Sequence, residues 1–217
     1  MKQRISQQGS ALVYILIAIA LMGALTASFM NSDSQQSRSQ NAFKLASTIN
    51  AQINVIRSSI DECVLLYPAG DDNLVVSAYK PHNPYPMHPS SSYFDGSSRD
   101  GIATRLVKDI SCPGNPGDSN EHTPIFGSSK NLPPPPPVLN DWVYFNWIDS
   151  VMGATNFDGV YVSIGSDNTD PYIVEAFNKV DSQYAACEVD VVTSAADDCD
   201  FANCLRYWIL RVDPACP

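Results

Sequence analysis

The chain has 217 residues, 44% of them hydrophobic, with a formal net charge of -10 and a sequence pI near 4.5. That length allows one sizeable core or two small ones. The acidic balance and scattered Lys and Arg argue against sequence-independent nucleic-acid binding, which needs basic clusters to displace counterions from phosphate. No nucleic-acid partner is expected.

Residues 1–9 are polar, basic through Lys2 and Arg4, and end at Gly9. An uncharged apolar run over 10–30 follows. At about 1.5 Å per residue, roughly 20 apolar residues cross the ~30 Å hydrocarbon layer of a bilayer, so 10–30 is expected to be a transmembrane helix. Lys2 and Arg4 would face the cytoplasm, which predicts a single-pass protein of a bacterial inner membrane with its C-terminal part in the periplasm. An ordinary secretory signal peptide, cut after Ala27, and a plain single-span anchor are the alternatives.

Over 31–67 the apolar or small residues Ala42, Ala46, Ile49, Ile53, Ile56, Ile60 and Cys63 recur in steps of four and three, with Gln52, Asn54, Arg57 and Asp61 on other faces. This spacing predicts an amphipathic continuation of the same helix, ended by Pro68 and Gly70.

These features together resemble the type IV pilin family, including the pseudopilins of type II secretion. The residues that carry the resemblance are the leader ending in Gln7, Gln8 and Gly9, the uncharged helix 10–30, and its amphipathic extension to Leu66. The resemblance covers about the first third of the chain. It implies that a prepilin peptidase cuts between Gly9 and Ser10 and that the new amine on Ser10 is methylated. It also implies a structural subunit of a type IV pilus or pseudopilus-like filament, held to other pilin-like subunits through the N-terminal helix. Ser10 departs from the usual aromatic or Met, and Tyr14 stands where most members carry Glu. The Tyr14 departure points to a minor, tip-proximal subunit. The alternative, from another class, is an exported or membrane-anchored binding protein or adhesin that does not polymerise.

The stretch 68–141 is rich in Pro, Ser, Asn and Gly. It predicts an irregular connection with one short helix near 102–109 and a stiff polyproline strut at Pro133 to Pro137. From 142 to 217 the pattern changes. Alternation at Val143, Phe145 and Trp147 and at Val160, Val162 and Ile164 predicts one hairpin, and 189–193 with 205–212 a second. Asp170 followed by Pro171 predicts a helix near 171–185, with Ile173, Phe177, Val180 and Tyr184 on one face. The fold class is therefore α+β: a long N-terminal helix packed on a small antiparallel sheet.

Six cysteines, Cys63, Cys112, Cys187, Cys199, Cys204 and Cys216, form an even set without a CxxC pair, which favours disulfides over zinc. Fifteen pairings are possible, and the preferred set is Cys63 with Cys112, Cys187 with Cys216, and Cys199 with Cys204. No nucleophile elbow, phosphate loop or HExxH motif is present, so no enzyme is expected. No cofactor is expected either, although two loops hold ligand-type side chains. Asp167, Asn168 and Asp170 are candidate calcium ligands, the competing reading being a plain turn with Asp170 as N-cap. His82, Met87 and His88 lie in a Pro-rich loop that reads as solvated. Trp142, Tyr144, Trp147, Tyr207 and Trp208 are either sheet core or an aromatic binding patch.

Overall fold

The computed structural model describes residues 8–68, 70, 84–87, 106–113, 122–127, 130–146, 158–192 and 201–212. Residues 1–7, 213–217 and the stretches between these ranges lie outside the described residues. Residues 1–41 and 42–217 form two separate units. Helix α1 (Gln8–Leu66) contributes to both.

In the first unit every side chain described on α1 is exposed. The expectation of a membrane span at 10–30, and with it the single-pass inner-membrane localisation, is corrected here. Among the described residues no helix is long and apolar enough to cross a membrane.

The second unit is built on the α1 stripe Ala42, Leu45, Ala46, Ile49, Ile53, Ile56, Ile60 and Cys63, each at most 6% exposed. Steps of three and four keep these side chains on one face, because 3.6 residues complete a turn. That face packs into one core with sheet and second-helix residues, including Val160, Val162, Ile164, Leu205 and Phe177.

The sheet is antiparallel with four strands: β1 (Val143–Asn146), β2 (Asp158–Ser166), β3 (Val189–Val192) and β4 (Asn203–Val212). Its order is β1-β2-β4-β3, so the long β2 and β4 are central. Register is set by pairs such as Tyr144 with Val162, Ile164 with Leu205, and Val191 with Leu205. An irregularity between Val160 and Tyr161 shifts the β2–β4 register. Two glycines in β2 are required by close approach. A Cβ on Gly159 would lie 2.3 Å from the Leu210 carbonyl oxygen, and one on Gly165 would lie 2.2 Å from the Phe201 ring.

Both sheet faces are buried. Tyr144, Val160, Val162, Ile164, Leu205 and Tyr207 belong to the main core. On the opposite face Phe145, Tyr161 and Trp208 form a second cluster. Phe145 stacks on Tyr161 with centroids 4.6 Å apart, and Trp208 tilts against Tyr161 at 4.7 Å. Such offset and tilted arrangements suit the quadrupoles of the rings.

Helix α2 (Pro171–Asp181) buries Ile173, Ala176, Phe177 and Val180. It is shorter than expected. Ser182 caps it, and tight turns from Gln183 to Val180 and from Tyr184 to Asp181 redirect the chain into β3. Asp170 holds the N-cap position without a side-chain cap bond, because its carboxylate accepts from Asn168 instead.

Of the short helix expected near 102–109, the described portion is a 3-10 turn at Val107–Asp109. No helix or strand is assigned to 133–136, and a turn closes from Leu139 N–H to Pro136 O.

Candidate functional site

The first unit carries a run of large apolar side chains that are exposed. Val13, Tyr14, Ile15, Leu16, Ile17, Ile19, Leu21 and Met22 are 50–71% exposed. At about 100° per residue, ten successive helical positions pass all round the axis, so the apolar surface is not confined to one face. Contiguous apolar surface of this kind marks an interaction site. Gly9 and Ser10 fall inside α1, in the part of the helix whose side chains are not described.

The cysteines fall into two groups. Cys63, near the end of α1, is bonded to Cys112, with Cα atoms 5.6 Å apart. This is the pair expected to tie the helix end to the irregular segment. Cys187 and Cys204 are also disulfide-bonded. Cys199 and Cys216 lie outside the described residues.

Asp167, Asn168 and Asp170 form a self-satisfied turn. Asn168 Nδ2 donates to Asp170 Oδ2 at 3.2 Å, and Asp170 N–H donates to Asn168 Oδ1 at 2.9 Å. Asn168 N–H in turn donates to Ser166 Oγ at 3.1 Å. Two oxygens that a calcium ion would need are thus engaged within the loop, as expected for an Asx-type turn. Among the described residues no group of three or more His, Cys, Asp or Glu is arranged to hold a metal ion. His82 and His88 lie outside the described residues, and Met87 is buried beside Ser111.

The four described members of the aromatic set are core residues. Trp142, Tyr144, Tyr207 and Trp208 are 1–4% exposed. Trp147 lies outside the described residues. Against the second cluster lies a partly buried ion pair, with the Arg206 side chain 7% and the Asp190 side chain 27% exposed. Arg206 Nε and Nη2 donate to the two Asp190 oxygens at 2.7 and 2.8 Å. The Arg206 guanidinium also lies 5.9 Å from the Tyr161 centroid and 5.8 Å from that of Trp208. A fork of this geometry satisfies the guanidinium and fixes β3 on β4, which makes it structural.

Sequence reasoning passed over one polar residue, Gln52, which it placed away from the buried stripe. Gln52 is 1% exposed and hydrogen-bonded on both ends of its carboxamide. Its position beside Ile53 in the α1 stripe was the available signal.

Burial raises several tyrosines above their usual range. Tyr144 is raised well above it, first by burial and then by nearby Tyr85. The Asn146 side chain offsets a little of this from outside ordinary hydrogen-bond geometry. Tyr207 and Tyr184 are raised by burial, and Arg57 pulls each partly back. Their rings meet edge-on at 5.3 Å. None of these groups is placed beside a nucleophile or a metal among the described residues.

An open depression of about 700 Å³ borders α2, lined by residues including Thr169, Val174, Glu175, Asn178 and Lys179. Its charges neutralise each other, with Lys179 Nζ 3.3 Å from Glu175 Oε1. Comparison with known protein families, with curated proteins and with solved structures finds no match.

Proposed function

We propose that this chain is a structural subunit of a type IV pilus or type II secretion pseudopilus-like filament, present as a minor, tip-proximal component. The observation that carries the proposal is the uncovered apolar run from Val13 to Met22 on α1. Apolar surface turned to water is unfavourable by roughly 25 cal/mol per Å², so a neighbour that covers it is strongly favoured. Helices of like subunits are suitable neighbours, because several of them are needed to cover a helix that is apolar all round. The leader ending at Gly9 supports the same reading, with a prepilin peptidase freeing the amine of Ser10.

Tyr14 supports the tip position. An ammonium buried among apolar helices is costly unless a carboxylate faces it. Tyr14 has no carboxylate and offers at best a hydrogen bond, so it cannot face the amine of the next subunit as a Glu would. A terminal subunit has one axial neighbour and escapes half of that requirement.

N-terminal sequencing of the mature protein together with subunit quantification in purified filaments tests the proposal. A mature chain starting at Ser10, present at a few copies per filament, is the expected result. A start at Ser28, or absence from filaments, overturns the subunit reading. Recovery as the bulk component overturns the tip position alone.

A further inference from the structure

The irregular segments of the second unit carry a conformational device on the sheet edge, and it does not depend on the filament reading. Strand β1 is one of the two outer strands of the described sheet. An outer strand presents unpaired backbone groups that can template pairing with another chain.

Here that edge has a cover. Leu106 bridges Val143 on the side away from β2, and Val107 N–H donates to Trp142 O at 2.9 Å. Further along, Asn146 Nδ2 donates to Pro86 O at 3.2 Å.

The covering segments hold one another. Met87 and Ser111 exchange backbone bonds of 2.9 and 2.8 Å. On the other flank Cys112 N–H donates to Thr123 O, and Ile125 N–H donates to Ile110 O. The central segment, 106–113, therefore ties the other two to the sheet. Its covalent tie to α1 is the Cys63–Cys112 bridge. Among the described residues of these segments the one regular element is the 3-10 turn Val107–Asp109, so the cover is held mainly by these bonds and by what its side chains bury.

We propose that the Cys63–Cys112 bridge latches this cover, keeping the outer edge of β1 closed to solvent and to strand pairing while contributing less to the β2–β4 centre of the sheet. The competing account is that Val107 and Ile110, both fully buried, seat the segment without covalent help.

Amide hydrogen exchange on the full-length chain carrying Cys63→Ser and Cys112→Ser, the other cysteines intact, separates the two. The expected result is exchange at least about tenfold faster at Met87, Val107, Ser111 and Ile125, with β4 amides changed by less than about threefold, as for local opening of a subglobal unit. Unchanged protection of the cover overturns the proposal. So does an equal acceleration of cover and β4, which would make the bridge a global stabiliser. Should the serine variant fail to fold, Cys63→Ala with Cys112→Val keeps both positions apolar and is read in the same way. Failure of both to fold also overturns the proposal, which requires the sheet to survive without the bridge.

Discussion

Trp142 Nε1 donates a 2.8 Å hydrogen bond to Gln52 Oε1, joining the segment before β1 to the buried face of α1. The other end of the same carboxamide donates to Pro134 O at 2.8 Å and to Pro133 O at 3.3 Å. Prolines have no N–H with which to build a ladder of their own. One side chain thus satisfies a buried indole and two carbonyls of prolines that are themselves exposed.

Replacing Gln52 with Leu keeps the volume and removes every one of these bonds. The Trp142 N–H is then left buried without a partner. The expected cost is about 2–3 kcal/mol, the usual range for an orphaned buried donor plus its lost partner. Urea denaturation at unchanged m-value measures it. A loss below about 0.5 kcal/mol would show that the indole finds another acceptor.

The Asp190–Arg206 pair allows a sharper test. Arg206 is 5% exposed, so Asp190→Ala takes away the carboxylate facing a buried guanidinium. A loss of about 3–5 kcal/mol is expected from the single change. The double change Asp190→Leu with Arg206→Met removes both charges and should lose clearly less. Equal losses in the single and double variants would mean that the guanidinium escapes to solvent when unpaired.

The two close-packed glycines of β2 should differ in tolerance. At Gly159 the obstacle is the Leu210 backbone carbonyl, which belongs to β4 and cannot move without breaking the ladder. At Gly165 it is the half-buried Phe201 side chain, which can rotate away. Overpacking costs about 1–3 kcal/mol, and Gly159→Ala is expected at or above the top of that range, with Gly165→Ala below it. Thermal unfolding of the two alanine variants ranks them. Phe201→Ala should recover most of the Gly165→Ala loss and none of the other.

Alkaline pH should unfold the protein through its buried tyrosines. Tyr144 has its folded pKa raised well above the unfolded value near 10, so the native state holds its proton where the unfolded state has released it. Stability from this group is therefore fully present below pH 10 and is lost as pH rises above it. Tyr144→Phe should flatten the decline in stability above about pH 10. At pH 7 the same change should be neutral or stabilising, because the Tyr144 hydroxyl is buried without a hydrogen-bond partner. Denaturant titrations at several pH values test both statements.

Tyr14 is 70% exposed on α1, so its replacement should not disturb the folded second unit. In the proposed filament, Tyr14→Glu supplies the missing carboxylate and should raise homopolymer formation strongly. Quantitative electron microscopy of filaments made with the variant checks this. Unchanged assembly would remove the argument that ties Tyr14 to the tip.

Local pattern was enough to identify much of the second unit. The α1 stripe from Ala42 to Cys63 is legible because helical periodicity puts every third or fourth residue on one face, and that relation holds within a few turns of chain. The strands around Val143, Val160, Val189 and Leu205 are legible for the same local reason, β-branched and aromatic residues in short runs between turn formers.

What joins distant parts was decided by tertiary structure. Nothing in β2 or β4 alone says that they pair with each other at the sheet centre, with Ile164 opposite Leu205. Tyr144 and Phe145 are adjacent and both buried, which alternation for a one-sided sheet does not anticipate, because here each sheet face has its own cluster. Gln52 reads as a solvent-facing polar residue until Trp142 and the proline carbonyls arrive from more than 80 positions away to bond it. Composition likewise marks 68–141 as irregular, but the exchange of bonds between Met87, Ser111 and their neighbours depends on where α1 and β1 place the ends of those segments.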